Sequence, residues 1–142
     1  MTLNDEIVNR LDKSRTMLQE VYDKLDPTDY VKFYDKVWSI RAEVEFVVAS
    51  LKLLNNLDDQ LQDEKWKKDF VVTLKQVRAD RKVREVFIET LHLFQDLESI
   101  ENIIKFYTIC WKIKEKLTII LNVVKPKIKL DYKKNDKKTT AK

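Results

Sequence analysis

Few residues in this chain have catalytic chemistry to offer. His92 is the sole histidine and Cys110 the sole cysteine among 142 residues. Glu89-Thr90-Leu91-His92 has the Glu-x-x-His spacing that sets a carboxylate and an imidazole one helical turn apart, as in di-iron bundles. Such a centre takes two of these units and further glutamates from facing helices, and a single histidine supplies one unit only. Helical ribonucleases of the toxin class place an arginine shortly before a histidine. The seven residues between Arg84 and His92 are too many for that motif. A Cys110–His92 nucleophile pair would need two helices to present both groups in one cleft, with a third group to orient the base. Cys110 instead falls at an apolar helical position, where a free cysteine behaves as a small hydrophobe. The expectation is a non-enzymatic protein with no metal and no other cofactor.

The cations are the richer source of chemistry. The net charge is only +4, but it is unevenly spread. Residues 1–64 hold eight Lys/Arg against fourteen Asp/Glu, and residues 65–142 hold twenty against ten. On helical spacing Lys105, Lys112 and Lys116 share a stripe facing away from the core, and Lys68, Lys75 and Arg78 form a second one. Arg81, Lys82 and Arg84 follow, and the last 18 residues hold eight lysines, among them Lys125, Lys127 and Lys129. Rows of flexible cations follow a phosphate backbone without reading bases. The competing reading is the ordinary one, in which Lys and Glu solvate the outer faces of helices. Trp38, Trp66 and Trp111 are candidates for stacking on unpaired bases, although aromatics at helical spacing usually build a core. Trp38 is the exception, lying beside its helix's apolar stripe rather than on its centre. Lys114, on the core side of its helix, is expected to extend past the core or to pair with a carboxylate.

Amphipathic helices must position these groups. A first helix is predicted over about 3–25, with Ile7, Leu11, Ser14, Leu18, Val21 and Leu25 inward, the seam of a long straight helix. Asp26-Pro27 then stops it and starts the next. The second carries Tyr30, Phe33, Val37, Ile40, Val44, Val47, Leu51 and Leu54 inward and ends at Asn55-Asn56, since Asn tolerates the left-handed conformation. A third over about 63–79 buries Trp66, Phe70, Leu74 and Val77. A break near Asp80 keeps Arg81 and Arg84 off that face. The fourth buries Val83, Val86, Phe87, Leu91, Phe94 and Leu97. Ser99 is the candidate cap of the fifth, which lines Ile100, Ile103, Tyr107, Cys110, Leu117, Leu121 and Val124 inward. One continuous helix across Leu97 is left open. Pro126 is expected to end the folded part.

The fold class is therefore all-α, a bundle of about five helices over residues 1–124 followed by a disordered lysine-rich tail over 125–142. Composition agrees. Hydrophobic residues make up 44% and charged residues 37%, more apolar content than a disordered chain carries. The chain has no glycine, which argues against tight hairpins and phosphate-cradling loops, both of which depend on it. One cysteine closes no internal disulfide. The most apolar stretch, 103–124, is broken by Lys105, Lys112, Lys114, Glu115 and Lys116 and does not read as a membrane span. No segment of signal-peptide type opens the chain, so a soluble, cytoplasmic protein without membrane contact is expected.

Three segments together resemble the small helical subunit of type III CRISPR effector complexes. They are TDYVKFYDKVWSI at 28–40, LKQVRADRKVREVF at 74–87 and IIKFYTICWKIKE at 103–115, so the resemblance covers about 28–116. Apolar and basic patterning carries it. The aromatic-rich turn of that family is replaced here by Val77-Arg78-Ala79-Asp80, and the lysine-rich tail is no regular feature of the family. The resemblance implies a non-catalytic filament subunit of an antiviral defence complex, lying along a guide–target duplex and touching its backbone. Arg78, Arg81, Lys82 and Arg84 would be the first contacts. The functional expectation is thus a helical subunit binding nucleic-acid backbone, RNA ahead of DNA, within a larger ribonucleoprotein. Its partners would be other protein subunits and, through self-association, further copies of itself. The alternative is a protein-interaction module, a viral or plasmid-type adaptor or inhibitor that touches no nucleic acid.

Overall fold

In the computed structural model, residues 2–25, 31–57, 67–68 and 80–140 are described, with the backbone course alone at 31, 80–82 and 127–140. The described residues form four α-helices: α1 (Asp5–Asp23), α2 (Tyr34–Leu54), α3 (Asp80–Asp96) and α4 (Ile103–Thr140), with 3₁₀ turns at Val31–Phe33 and Leu97–Ser99. The protein is all-α, and no strand occurs among these residues. Of the predicted third helix, only Lys67 and Lys68 are described, and both are helical. The predicted Asp26-Pro27 stop lies outside the described residues.

Local chemistry explains the helix ends. Asn4 caps α1, its Oδ1 accepting the Ile7 amide at 2.9 Å, and Asp5 and Glu6 sit favourably in the positive first turn. At the other end of α2, Asn56 adopts a φ of 51°, as expected for an asparagine that turns the chain out of a helix. This turn swings Leu57 into full burial and leaves Leu54 45% exposed, so Leu57 takes the inward place that the sequence assigns to Leu54. The cap of α4 is Asn102, whose Oδ1 accepts the amides of Ile104 and Lys105 at 2.9 and 3.2 Å. Ser99 instead donates to the Asp96 carbonyl within the 3₁₀ turn. The open question at Leu97 resolves into two helices.

The helices pack as a closed ring, α1 on α2, α2 on α4, α4 on α3 and α3 on α1. Directions follow from the contacts. Asn55 at the end of α2 accepts the Thr2 amide at the start of α1, so these two run antiparallel. Arg41 of α2 bonds Thr118 of α4, and Lys116 of α4 bonds Glu89 of α3. With the Phe33/Val37 and Val83/Phe87 ends both beside Val124, α2 and α3 each run antiparallel to α4 and hence parallel to one another. The end of α2 and the start of α3 therefore lie at opposite ends of the bundle, about 30 Å apart at the helical rise.

The core is continuous across all four helices. Ile7, Leu11, Leu18 and Val21 of α1 and Val37, Ile40, Val44, Val47 and Leu51 of α2 are buried, as their spacing predicts. Along α4 burial is wider than predicted: Phe106, Trp111, Ile113 and Ile120 are also buried. This helix packs against two neighbours and additionally against Lys67, whose Nζ donates to the Tyr107 hydroxyl at 3.2 Å and lies 5.4 Å from the Trp111 ring. The helix does not stop at Pro126 but continues to Thr140. Proline there removes one amide donor, and among the described side chains Val124 is the last that is buried. Among the described residues no helix is long and apolar enough to cross a membrane.

Candidate nucleic-acid interface

The bundle brings together two basic segments that are about forty residues apart in the chain. Arg81, Lys82 and Arg84 occupy the first turns of α3. Val83 and Val124 meet in one apolar cluster with Leu25 and Phe33, so the start of α3 and the stretch of α4 at Lys125 share one end of the molecule. Arg84 and Lys125 are exposed there, and Lys127 and Lys129 follow along α4. The Arg84 guanidinium lies 5.6 Å from the centre of the Tyr22 ring, a cation–π contact that braces it against α1. Among the described side chains Lys24, Lys32, Lys36, Arg84 and Lys125 are exposed at this end, alongside the acids Asp23, Asp35 and Glu85.

The remaining predicted cations are distributed elsewhere. Lys105 is exposed at the start of α4, the opposite end of the bundle, and Lys112 is half-buried. Lys116 does not face outward as the stripe reading requires. Its side chain is 12% exposed and its Nζ lies 2.6 Å from Glu89, because α3 packs over that side of α4. Lys68 is exposed beside Lys67, on the α4 side of the molecule. Lys75 and Arg78 lie outside the described residues. The three-lysine stripe is thus divided among an exposed end, a half-buried middle and an ion pair. Lys114 has the predicted carboxylate partner, Glu115 at 3.4 Å, and sits 5.4 Å from the Trp111 ring.

The groups weighed for catalysis are not brought together. His92 is exposed in an open groove of mixed character with Arg15, Gln19, Tyr22, Ile88, Leu91 and Gln95. Cys110 is fully buried, and burial pushes its thiol up to about 12. A thiol so placed holds no appreciable thiolate at neutral pH. Cys110 is therefore expected to resist a thiol-reactive dye in native buffer and to react at once in denaturant. Labelling in native buffer as fast as that of a small free thiol would contradict this burial. Trp111 is buried and cannot stack on a base, whereas Trp38 is 55% exposed.

Two further features were not anticipated. An apolar cavity of about 180 Å³ lies between α1, α3 and α4, lined by Leu3, Val8, Leu11, Phe94, Leu97 and Phe106, with the Arg15–Glu98 ion pair at its edge. It is below the size of ordinary small-molecule pockets. The second is the outer face of α2, where Phe46 and Leu53 are exposed along with Trp38. Its sequence signal was present at the positions opposite the core stripe. No family model, curated protein or solved structure matches this chain.

Proposed function

We propose that this protein is a non-catalytic helical subunit that holds nucleic-acid backbone at the basic end formed by α3 and α4, within a larger ribonucleoprotein assembly of the cytoplasm. The observation carrying this reading is the convergence of Arg81, Lys82 and Arg84 with Lys125, Lys127 and Lys129 at one end of the bundle. Clustered cations of this kind release counterions from phosphates and need no fixed side-chain geometry to do so. The lysines beyond Lys129 add to the same charge. The reading keeps the predicted third helix over about 63–79, whose Lys68, Lys75 and Arg78 would lengthen the contact surface. RNA is placed ahead of DNA, in line with the filament role that the resemblance to type III small subunits implies.

Fluorescence anisotropy tests the reading, with labelled single- and double-stranded RNA and DNA at roughly 50 and 200 mM salt, the range over which backbone contacts weaken steeply. Binding is expected to be insensitive to sequence and to fall strongly across that range. No binding of any of the four probes at the lower salt rejects the proposal. A second reading, an interaction module that touches no nucleic acid, is favoured by one specific observation, the exposed apolar face of α2.

A further inference from the structure

We propose that the outer face of α2 is a self-association surface on which a second copy of this chain lays its own α2, antiparallel and related by a two-fold axis. The face lies opposite the core stripe of the helix. Trp38, Ala42, Ala49 and Leu53 recur there at steps of four, seven and four, an arc of about 60° at 100° per residue. Trp38 is 55%, Phe46 42% and Leu53 79% exposed. A solvated outer face would carry Lys and Glu at these positions. Here they are aromatic, aliphatic or alanine, and the one charged residue on the same arc, Asp35, lies in the first turn of the helix, before Trp38.

The occupant is argued from the register. A two-fold interface requires a patch complementary to itself. About a point between Glu45 and Phe46, Trp38 falls opposite Leu53 of the other copy and Ala42 opposite Ala49, and the same pairs recur on the far side of the axis. Alanines at the middle let the two backbones approach, and a Trp–Leu pair closes each end. Charge agrees with this register. Every charged residue of α2 falls opposite an uncharged one, as Arg41 with Ser50, Lys52 with Ser39 and Glu43 with Val48. The helix carries three acids and three bases, so two copies approach without net repulsion. Glu45, nearest the axis, is held by Arg41 of its own chain at 3.1 Å, which offsets its proximity to its counterpart.

Area is sufficient for a modest interface. At about 200 Å² for each large side chain, the exposed parts of Trp38, Phe46 and Leu53 with the two alanines offer about 400 Å² per copy. The pair then buries about 800 Å² of apolar surface, below the roughly 1,200 Å² of standard specific interfaces and in the range of weak, transient contacts. The dimer is accordingly expected to be weak and to dissociate reversibly on dilution. This inference stands apart from the nucleic-acid reading, since the face uses none of the cations at the basic end.

Sedimentation velocity of the full chain across a wide concentration range tests it. A reversible monomer–dimer equilibrium is expected, and Leu53→Glu should raise its dissociation constant tenfold or more. Leu53 is solvent-facing, so the helical circular dichroism and melting of that variant should match the parent. Register is tested by cysteine pairs. Ala42→Cys combined with Ala49→Cys should give a covalent dimer under an added oxidant, whereas Ala42→Cys alone should not. The buried Cys110 stays out of the reaction. A chain monomeric at all concentrations overturns the proposal, as does a dimer indifferent to Leu53→Glu. Efficient cross-linking by Ala42→Cys alone also overturns it, because that pairing belongs to a parallel arrangement. A monomer whose Trp38 emission is quenched by single-stranded nucleic acid overturns it in favour of base stacking.

Discussion

Replacing Phe87 by alanine is expected to lower the unfolding free energy by about 3–5 kcal/mol, the range for truncating a buried aromatic. Phe87 is 1% exposed and lines a small internal void where elements from the whole bundle meet, together with Leu25 after α1, Phe33 and Val37 at the start of α2, and Ile120, Leu121 and Val124 of α4. Phe87 borders that void, so where the cost falls within that range depends on how far the neighbouring side chains relax into the space left. A domain with a stability of about 5–15 kcal/mol would lose a large share of it. Urea denaturation reads the effect as a lower midpoint with an unchanged slope. Ser14→Ala supplies the opposite sign in the same core. Ser14 is 1% exposed, and among the described residues its hydroxyl has no hydrogen-bond partner. Removing a buried, unsatisfied hydroxyl should leave stability unchanged or raise it by about 1 kcal/mol. A loss below about 1 kcal/mol for Phe87→Ala would mean that this packing centre is not what holds the helices together.

The helical content and the seams of α1 and α2 were legible in the sequence because each rests on local periodicity. Ile7, Leu11, Ser14, Leu18 and Val21 are buried in the order their spacing dictates. What was not legible depends on neighbours distant in the chain. Lys116 looks outward on a helical wheel, but α3 covers it and supplies Glu89. Phe106, Trp111, Ile113 and Ile120 are buried because α4 has neighbours on several sides, which no single-helix pattern reveals. Leu54 and Leu57 exchange roles because the positive φ of Asn56 redirects the chain between them. Ser99 and Asn102 are both acceptable caps, and only the 3₁₀ turn at Leu97–Ser99 decides between them. The cations of the candidate interface were legible one by one. Their grouping was not, since it follows from the ring order of the helices.

The second large effect is electrostatic and depends on that grouping. Arg84→Ala combined with Lys125→Ala should weaken binding to duplex nucleic acid on the order of 100-fold at about 50 mM salt, and should reduce the slope of log K against log salt by about two. Both residues are exposed at the basic end, so folding should be little affected. Among the described residues, the bracing contact with Tyr22 is the one interaction lost. Lys105→Ala is the matched comparison, an exposed cation of the same helix at the opposite end of the bundle. If phosphates are held at one end, Lys105→Ala leaves the slope almost unchanged. Equal losses from both changes would mean that the chain attracts nucleic acid through its overall charge, with no defined interface. Lys116→Ala separates charge from stability in the same series. Its ammonium is already engaged by Glu89, so its removal should disturb the α3–α4 contact and lower the melting temperature while leaving the salt slope as it was. A pattern in which Lys116→Ala changed the slope and Arg84→Ala with Lys125→Ala did not would move the interface to the α3–α4 groove and reject the basic end.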